Sequence, residues 1–152
     1  MTPTETVAPT VPKTTRRLLM YPGIDVSFVR DSSSTAGTLG EADRAVPYRV
    51  RVIVRTALRQ WGLPGLIEPA ELLATELVTN AFRHGLGDVG VRLYVTASDL
   101  LVEVRDGSSV RPVPSNAALD AEHGRGLLLV TAIADHWGVS PDGTTTWCSL
   151  PF

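Results

Sequence analysis

A single cysteine, Cys148, and a single lysine, Lys13, are the scarcest chemical groups in this chain of 152 residues. One cysteine excludes an internal disulfide, and its place in an apolar, alternating run fits the reducing conditions of a cytoplasm. A formal charge of −2 gives no global electrostatic reason to expect direct contact with nucleic acid. No apolar run approaches the ~18 residues of a membrane span, and the start MTPTETVAPTVPKTT lacks the apolar centre of a signal peptide. Other signatures are missing too. No G-x-x-x-x-G-K-[ST] is present, which excludes a P-loop; no paired CxxC or HExxH suggests zinc; no G-x-S-x-G suggests a hydrolase elbow. No internal repeat is visible. What is there is an ordinary core: 43% hydrophobic residues, too apolar for a disordered protein and of a length that suits one domain.

In chain order, residues 1–17 are rich in Thr and Pro and read as a disordered tail, leaving 18–152 as a single domain. Ile24, Val26 and Phe28 alternate as an edge strand would, and 31–40 is a loop by composition. Ala45 to Trp61 is helical in pattern. Val50, Val54, Ala57, Leu58 and Trp61 form one face, with Arg51, Arg55 and Arg59 on another. That arginine row is either a solvated face or a docking surface for an acidic partner. Gly62 ends the helix. Val89 to Val95 and Leu100 to Arg105 alternate about a short turn and read as an antiparallel hairpin running into Asp106-Gly107. Ser108 to His123 has no period and is long enough to be a lid. Gly124-Arg125-Gly126 then opens an apolar helix, Leu127 to about Asp135. A last strand pair flanks Pro141-Asp142-Gly143. Consecutive strands with gathered helices predict an α+β fold, helices on one face of a mixed, mostly antiparallel sheet.

The stretch EPAELLATELVTNAFRHG, residues 68–85, carries the densest signal. Pro69 suits a first helical position and Gly85 a helix end. Leu72, Leu73, Leu77 and Ala81 repeat as a buried stripe. Glu76 and Asn80, at i and i+4, project from the same side one turn apart. Beside that stripe a carboxylate and a carboxamide are partly desolvated and need partners. A divalent cation would satisfy both; a solvated Glu and an Asn bonded within the helix is the plainer alternative.

Taken in order, Glu76 to Gly85 (ELVTNAFRHG), Asp106-Gly107, Gly124-Arg125-Gly126-Leu127 and Gly143-Thr144-Thr145 resemble the boxes of the GHKL superfamily of ATPases and kinases. The resemblance covers roughly residues 45–152. It is nearest to the anti-sigma-factor serine/threonine kinases of bacteria, which are stand-alone domains. It implies a two-layer α/β sandwich of the Bergerat ATP-binding type. By the same resemblance Asn80 is the Mg²⁺ ligand, and Glu76 orients or deprotonates the attacking hydroxyl. Asp106, with Gly107 after it, accepts the exocyclic amine of adenine. Gly124, Arg125, Gly126 and Leu127 hold the phosphates of ATP beneath the lid, and Thr145 binds the Asp106 carboxylate or a bridging water. Arg83 and His84 are further phosphate contacts, or simply favourable cations at a helix C-terminus. The implied partners are a sigma factor and an anti-sigma-factor antagonist, with a homodimer as the common assembly. One departure stands out: the usual Asp-x-Gly is here Asp106-Gly107-Ser108, the glycine one place early. Two functional readings follow, a kinase that phosphorylates the antagonist, or an ATP-binding (or ATP-lost) module that only holds a protein partner.

Overall fold

The alternating and periodic segments become, in order, β1 (Gly23–Phe28), α1 (Glu41–Gln60), a short 3-10 turn (Pro64–Leu66), α2 (Ile67–His84), β2 (Val89–Val95), β3 (Asp99–Arg105), α3 (Glu122–Ile133), β4 (His136–Val139) and β5 (Thr145–Pro151). This computed structural model describes residues 23–35, 38–108 and 122–152, with side chains in the last stretch from residue 127 onward. The expected tail and positions 109–121 of the expected lid lie outside the described residues. The strands form one sheet in the order β1-β2-β3-β5-β4. Every pairing in it is antiparallel, so the mixed element expected from sequence is not needed. The fold is α+β, as predicted.

Register explains why the helices gather on one side. Val91 faces Val104, Leu93 faces Val102 and Val95 faces Leu100 across β2 and β3, while Val102 and Leu100 face Cys148 and Leu150 on β5. Because side chains alternate along a strand, those apolar pairs share one face. They pack into a single core with Val50, Val54 and Leu58 of α1, Leu73, Leu77, Val78 and Phe82 of α2, and Val130 of α3. Cys148 is part of this core, and burial pushes its thiol up to about 12, which leaves it unreactive. Among the described residues, no helix is long and apolar enough to cross a membrane.

The ends of α1 illustrate how local chemistry sets boundaries. The helix begins at Glu41, earlier than the apolar period suggests, because the preceding loop caps it. Asp31 Oδ2 accepts from the Ala42 N–H at 3.3 Å. Asp43, only 1% exposed, accepts from the Asp31 N–H at 2.8 Å and from Ser34 Oγ at 2.5 Å. At the other end Gly62 adopts φ 72°, the left-handed conformation that suits glycine. There the Leu63 N–H reaches Leu58 O at 2.8 Å and the Gly62 N–H reaches Arg59 O at 3.2 Å, closing the helix in a Schellman pattern.

Two expectations about the helices change. The arginine row of α1 is not wholly solvated, because Arg55 grips Glu71 of α2. Its Nε donates to Oε1 at 2.7 Å and its Nη2 to Oε2 at 3.1 Å, with Arg51 Nη2 3.9 Å away. The Glu71 side chain is only 9% exposed, so this forked pair neutralises a carboxylate that the α1–α2 contact has taken from water. Leu72 is not in the buried stripe. It is 38% exposed, whereas its neighbour Leu73 is fully buried. The stripe of α2 runs instead through Ala70, Leu73, Ala74, Leu77, Val78, Ala81 and Phe82. α2 also begins two residues before Pro69, at Ile67.

The adjacent leucines give a direct test of this phase. Leu73→Ala should cost about 2–5 kcal/mol of stability, and Leu72→Ala less than about 1 kcal/mol. Urea unfolding of both variants measures the difference; equal losses would place the helix in the wrong rotation.

Candidate functional site

Of the residues singled out by sequence, Gly85 and Asp106-Gly107 meet where the C-terminal end of α2 reaches the exit of β3. Gly85, one residue past α2, is the point of contact. A Cβ there would lie 2.4 Å from Ala81 O, 2.6 Å from Asp106 Cβ and 2.7 Å from Asp106 Cγ, so only glycine lets the two elements close. Gly85 itself is at φ −86°, ψ 178°, and is chosen for lack of bulk rather than for a left-handed turn. Gly107 plays the same part from the other side. Its N–H donates to Leu86 O at 2.7 Å, and a Cβ there would sit 2.4 Å from that oxygen. The early glycine of the Asp106-Gly107-Ser108 box thus seats the end of β3 against the loop after α2.

Asp106 is held on three sides. Its backbone N–H donates to Thr144 O at 2.9 Å, its Oδ1 accepts from the Ser108 N–H at 2.8 Å, and Gly85 covers its flank. Burial raises its carboxyl above the ordinary aspartate range. The Ser108 N–H, and then the charges of Arg30 and His84, pull it partly back. Along α2, Glu76 and Asn80 sit one turn apart and both are half-buried. Burial also raises the Glu76 carboxyl, against a downward pull from Arg83 further along the helix. Asn80 Nδ2 is buried and, among the described residues, has no hydrogen-bond partner. A buried amide without a partner costs about 1–3 kcal/mol, and rotating the carboxamide would expose an acceptor oxygen to the same space. Thr75 Oγ1, next to Glu76, is likewise buried without a partner among the described residues.

Arg83 and His84 occupy the last turn of α2, exposed and each engaged in further interactions. Two carbonyls of that turn take bonds from a residue that sequence reasoning missed. Arg30, two positions beyond β1, donates from Nη1 to Phe82 O at 2.9 Å and from Nη2 to Ala81 O at 3.3 Å. A cation here also complements the negative end of the helix dipole. No local signal marks Arg30, because its partners are far away in the chain.

The remaining boxes are placed differently from expectation. Gly124-Arg125-Gly126 lies inside the first turns of α3, which starts at Glu122, rather than ahead of the helix. Leu127 is buried in the core, 3% exposed. Gly143, at φ 80°, turns the chain between β4 and β5, where Asp142 Oδ1 accepts from Ser140 Oγ, Thr144 Oγ1 and the Thr144 N–H. Thr145 pairs with Arg105 and Thr146 with Val104. By strand alternation Thr145 stands on the outer face with Arg105, and Thr146 shares the helix-facing side with Val104 and Asp106. Among the described residues Thr145 makes no bond to Asp106; its N–H goes to Ser140 Oγ at 3.0 Å.

The raised carboxyl of Asp106 has a consequence for stability. A folded-state value above the unfolded one means that folding favours the protonated acid, so its stabilising effect is present at low pH and lost as pH rises through the folded value. Asp106→Asn, which keeps an acceptor for Ser108, should therefore melt higher than the parent at neutral pH. The gap should narrow toward pH ~4, near the ordinary aspartate value. Thermal melts across that range decide it, and a lower Asn melting point at neutral pH would contradict the burial argument.

Glu76, Asn80 and Asp106 are thus three half-buried polar residues, and the Asn80 amide nitrogen lacks a partner among the described residues. The unpartnered Asn80 Nδ2 is a donor that fits an anionic acceptor such as a phosphate oxygen, and the rotated carboxamide would offer its oxygen to a metal ion instead. Among the described residues no group of three or more His, Cys, Asp or Glu could hold a metal ion. No curated protein matches the chain. The family model described as "Histidine kinase-like ATPase domain" matches residues 41–150, from the first residue of α1 to the penultimate residue of β5. With that match spanning α2, the Asp106 strand end and the last strand, the chain belongs to the histidine kinase-like ATPase domain family.

Proposed function

We propose that this ATPase-family chain is a protein serine/threonine kinase acting on an anti-sigma-factor antagonist and sequestering a sigma factor, in the cytoplasm and as a homodimer. The observation that carries the catalytic part is Glu76. It is half-buried, with its carboxyl raised by burial, one helical turn from the unpartnered Asn80 amide. Bound Mg-ATP supplies the transferable γ-phosphoryl group. Asn80 would present its amide oxygen to the metal, and Asp106 would accept from the adenine amine. Glu76 would align an incoming serine hydroxyl and take its proton. A raised carboxyl is the better base for that task at neutral pH. The partner identities are supported by the resemblance of residues 76–85 to anti-sigma-factor kinases.

A second reading, a module that binds ATP and clamps a protein without transferring phosphate, is favoured by Gly107. It is engaged with Leu86 rather than free to hinge a lid.

Three variants separate these readings. Asp106→Asn should weaken ATP about ten- to a hundredfold, since the acceptor facing the amine is lost. Asn80→Ala should weaken Mg-ATP far more than metal-free ATP by calorimetry; equal losses would leave Asn80 a structural residue. Glu76→Gln keeps shape and should bind ATP as well as the parent. Transfer to a purified antagonist, or hydrolysis of ATP, should fall by roughly 10²–10⁴-fold. Undiminished turnover in Glu76→Gln moves the base elsewhere, and a parent that binds ATP without transfer to its demonstrated partner is a clamp.

A further inference from the structure

We propose that Arg30 is a positioning residue for base selection: its guanidinium fork fixes the segment 81–87 against Asp106, and so aims that carboxylate at a purine bearing a 6-amino group. The inference rests on Asp106 as the adenine acceptor. Arg30 Nε donates to Gly87 O at 2.9 Å, Nη1 to Phe82 O at 2.9 Å and Nη2 to Ala81 O at 3.3 Å. Its own N–H donates to Asp88 Oδ1 at 3.2 Å, and its guanidinium lies 5.2 Å from the centre of the Phe82 ring. One side chain thus ties the last turn of α2 to the entry of β2, and encloses Gly85 and Leu86 between its anchor points.

Those two enclosed residues are the ones that touch the Asp106 box. Gly85 lies against the Asp106 side chain, and Leu86 O accepts from the Gly107 N–H. The Ala81 carbonyl is shared, taking the Gly85 N–H at 2.8 Å as well as Arg30. If the fork is removed, Phe82 O loses the Arg30 donor, Ala81 O keeps only the Gly85 N–H, and the 85–87 loop loses its outer support. The wall of Asp106 then shifts. A hydrogen bond to a base tolerates only a few tenths of an ångström. A lysine would keep the charge but could not serve three carbonyls in different directions. The charged groups acting on Asp106 are Arg30 from beyond β1 and His84 from α2, both favouring the ionised acceptor.

The test compares ATP with inosine triphosphate, which carries an oxo group where ATP carries the amine. Dissociation constants are measured with Mg²⁺ and the full chain, at temperatures where circular dichroism shows each variant folded. The parent should prefer ATP by about ten- to a hundredfold. Arg30→Met and Arg30→Lys should lose about tenfold of that ratio, with inosine triphosphate affinity nearly unchanged. Arg55→Met loosens α1 on α2 without touching the 81–87 segment. It should keep the parent ratio, which separates positioning from general destabilisation. If Arg30→Met does not fold, Arg30→Gln, which retains an amide donor, takes its place in the comparison. A folded Arg30→Gln or Arg30→Lys with the parent's ratio would overturn the proposal and leave Arg30 a helix-end clamp. A parent that does not distinguish the two nucleotides would overturn the Asp106 reading, and this inference with it; the parent measurement alone tells the two failures apart.

Discussion

The Ala81 carbonyl is the point on which the candidate site depends. It accepts the N–H of Gly85 and the Nη2 of Arg30, and it forbids any side chain at Gly85. Through it the end of α2 is stopped, turned and laid against Asp106. Asn80 lies one residue before this carbonyl and Glu76 a turn earlier, so their placement relative to β3 follows from the same junction. The helix supplies the spacing between them at ~1.5 Å per residue, and the junction supplies the orientation.

Around this junction the fold keeps polar groups buried at a cost. Glu71, further up α2, is buried too, but the Arg55 fork satisfies it, and it is a structural carboxylate. Among the described residues Glu76 has no such fork. Its carboxyl is raised by burial, and Arg83 opposes the shift only by distance-dependent attraction. Two glutamates on one helix thus differ: one is tied into the fold by an arginine fork, and the other has its carboxyl raised by burial. Asn80 Nδ2 has no partner among the described residues, and a well-packed interior seldom leaves a polar atom so.

Much of the architecture was legible in the chain. Alternation at Val89, Val91, Leu93 and Val95 predicted a buried strand face, and every one of those residues is buried. Gly62 predicted the end of α1, and its left-handed conformation delivers it. Periodicity found α2 but left its rotation ambiguous. Leu72 and Leu73 fit an apolar stripe equally well until α1 and the sheet decide which side is covered. The arginine row was ambiguous for a related reason, because Glu71 lies on the next helix and nothing local couples it to Arg55. Thr144, Thr145 and Thr146 are identical in sequence terms; only pairing with β3 assigns Thr145 to the outer face.

What the sequence determined by itself was the set of elements and the apolar alternation that makes one sheet face a core. These follow from periodicity and residue chemistry, which act over a few neighbouring positions. Tertiary structure alone decided that Arg30 closes α2, that Gly85 and Gly107 are contact points rather than flexible turns, and that Thr146 rather than Thr145 shares the face of Asp106. Each of those outcomes is a contact between segments distant in the chain, fixed by steric exclusion and by carbonyls that must find a donor. No local propensity encodes such a contact.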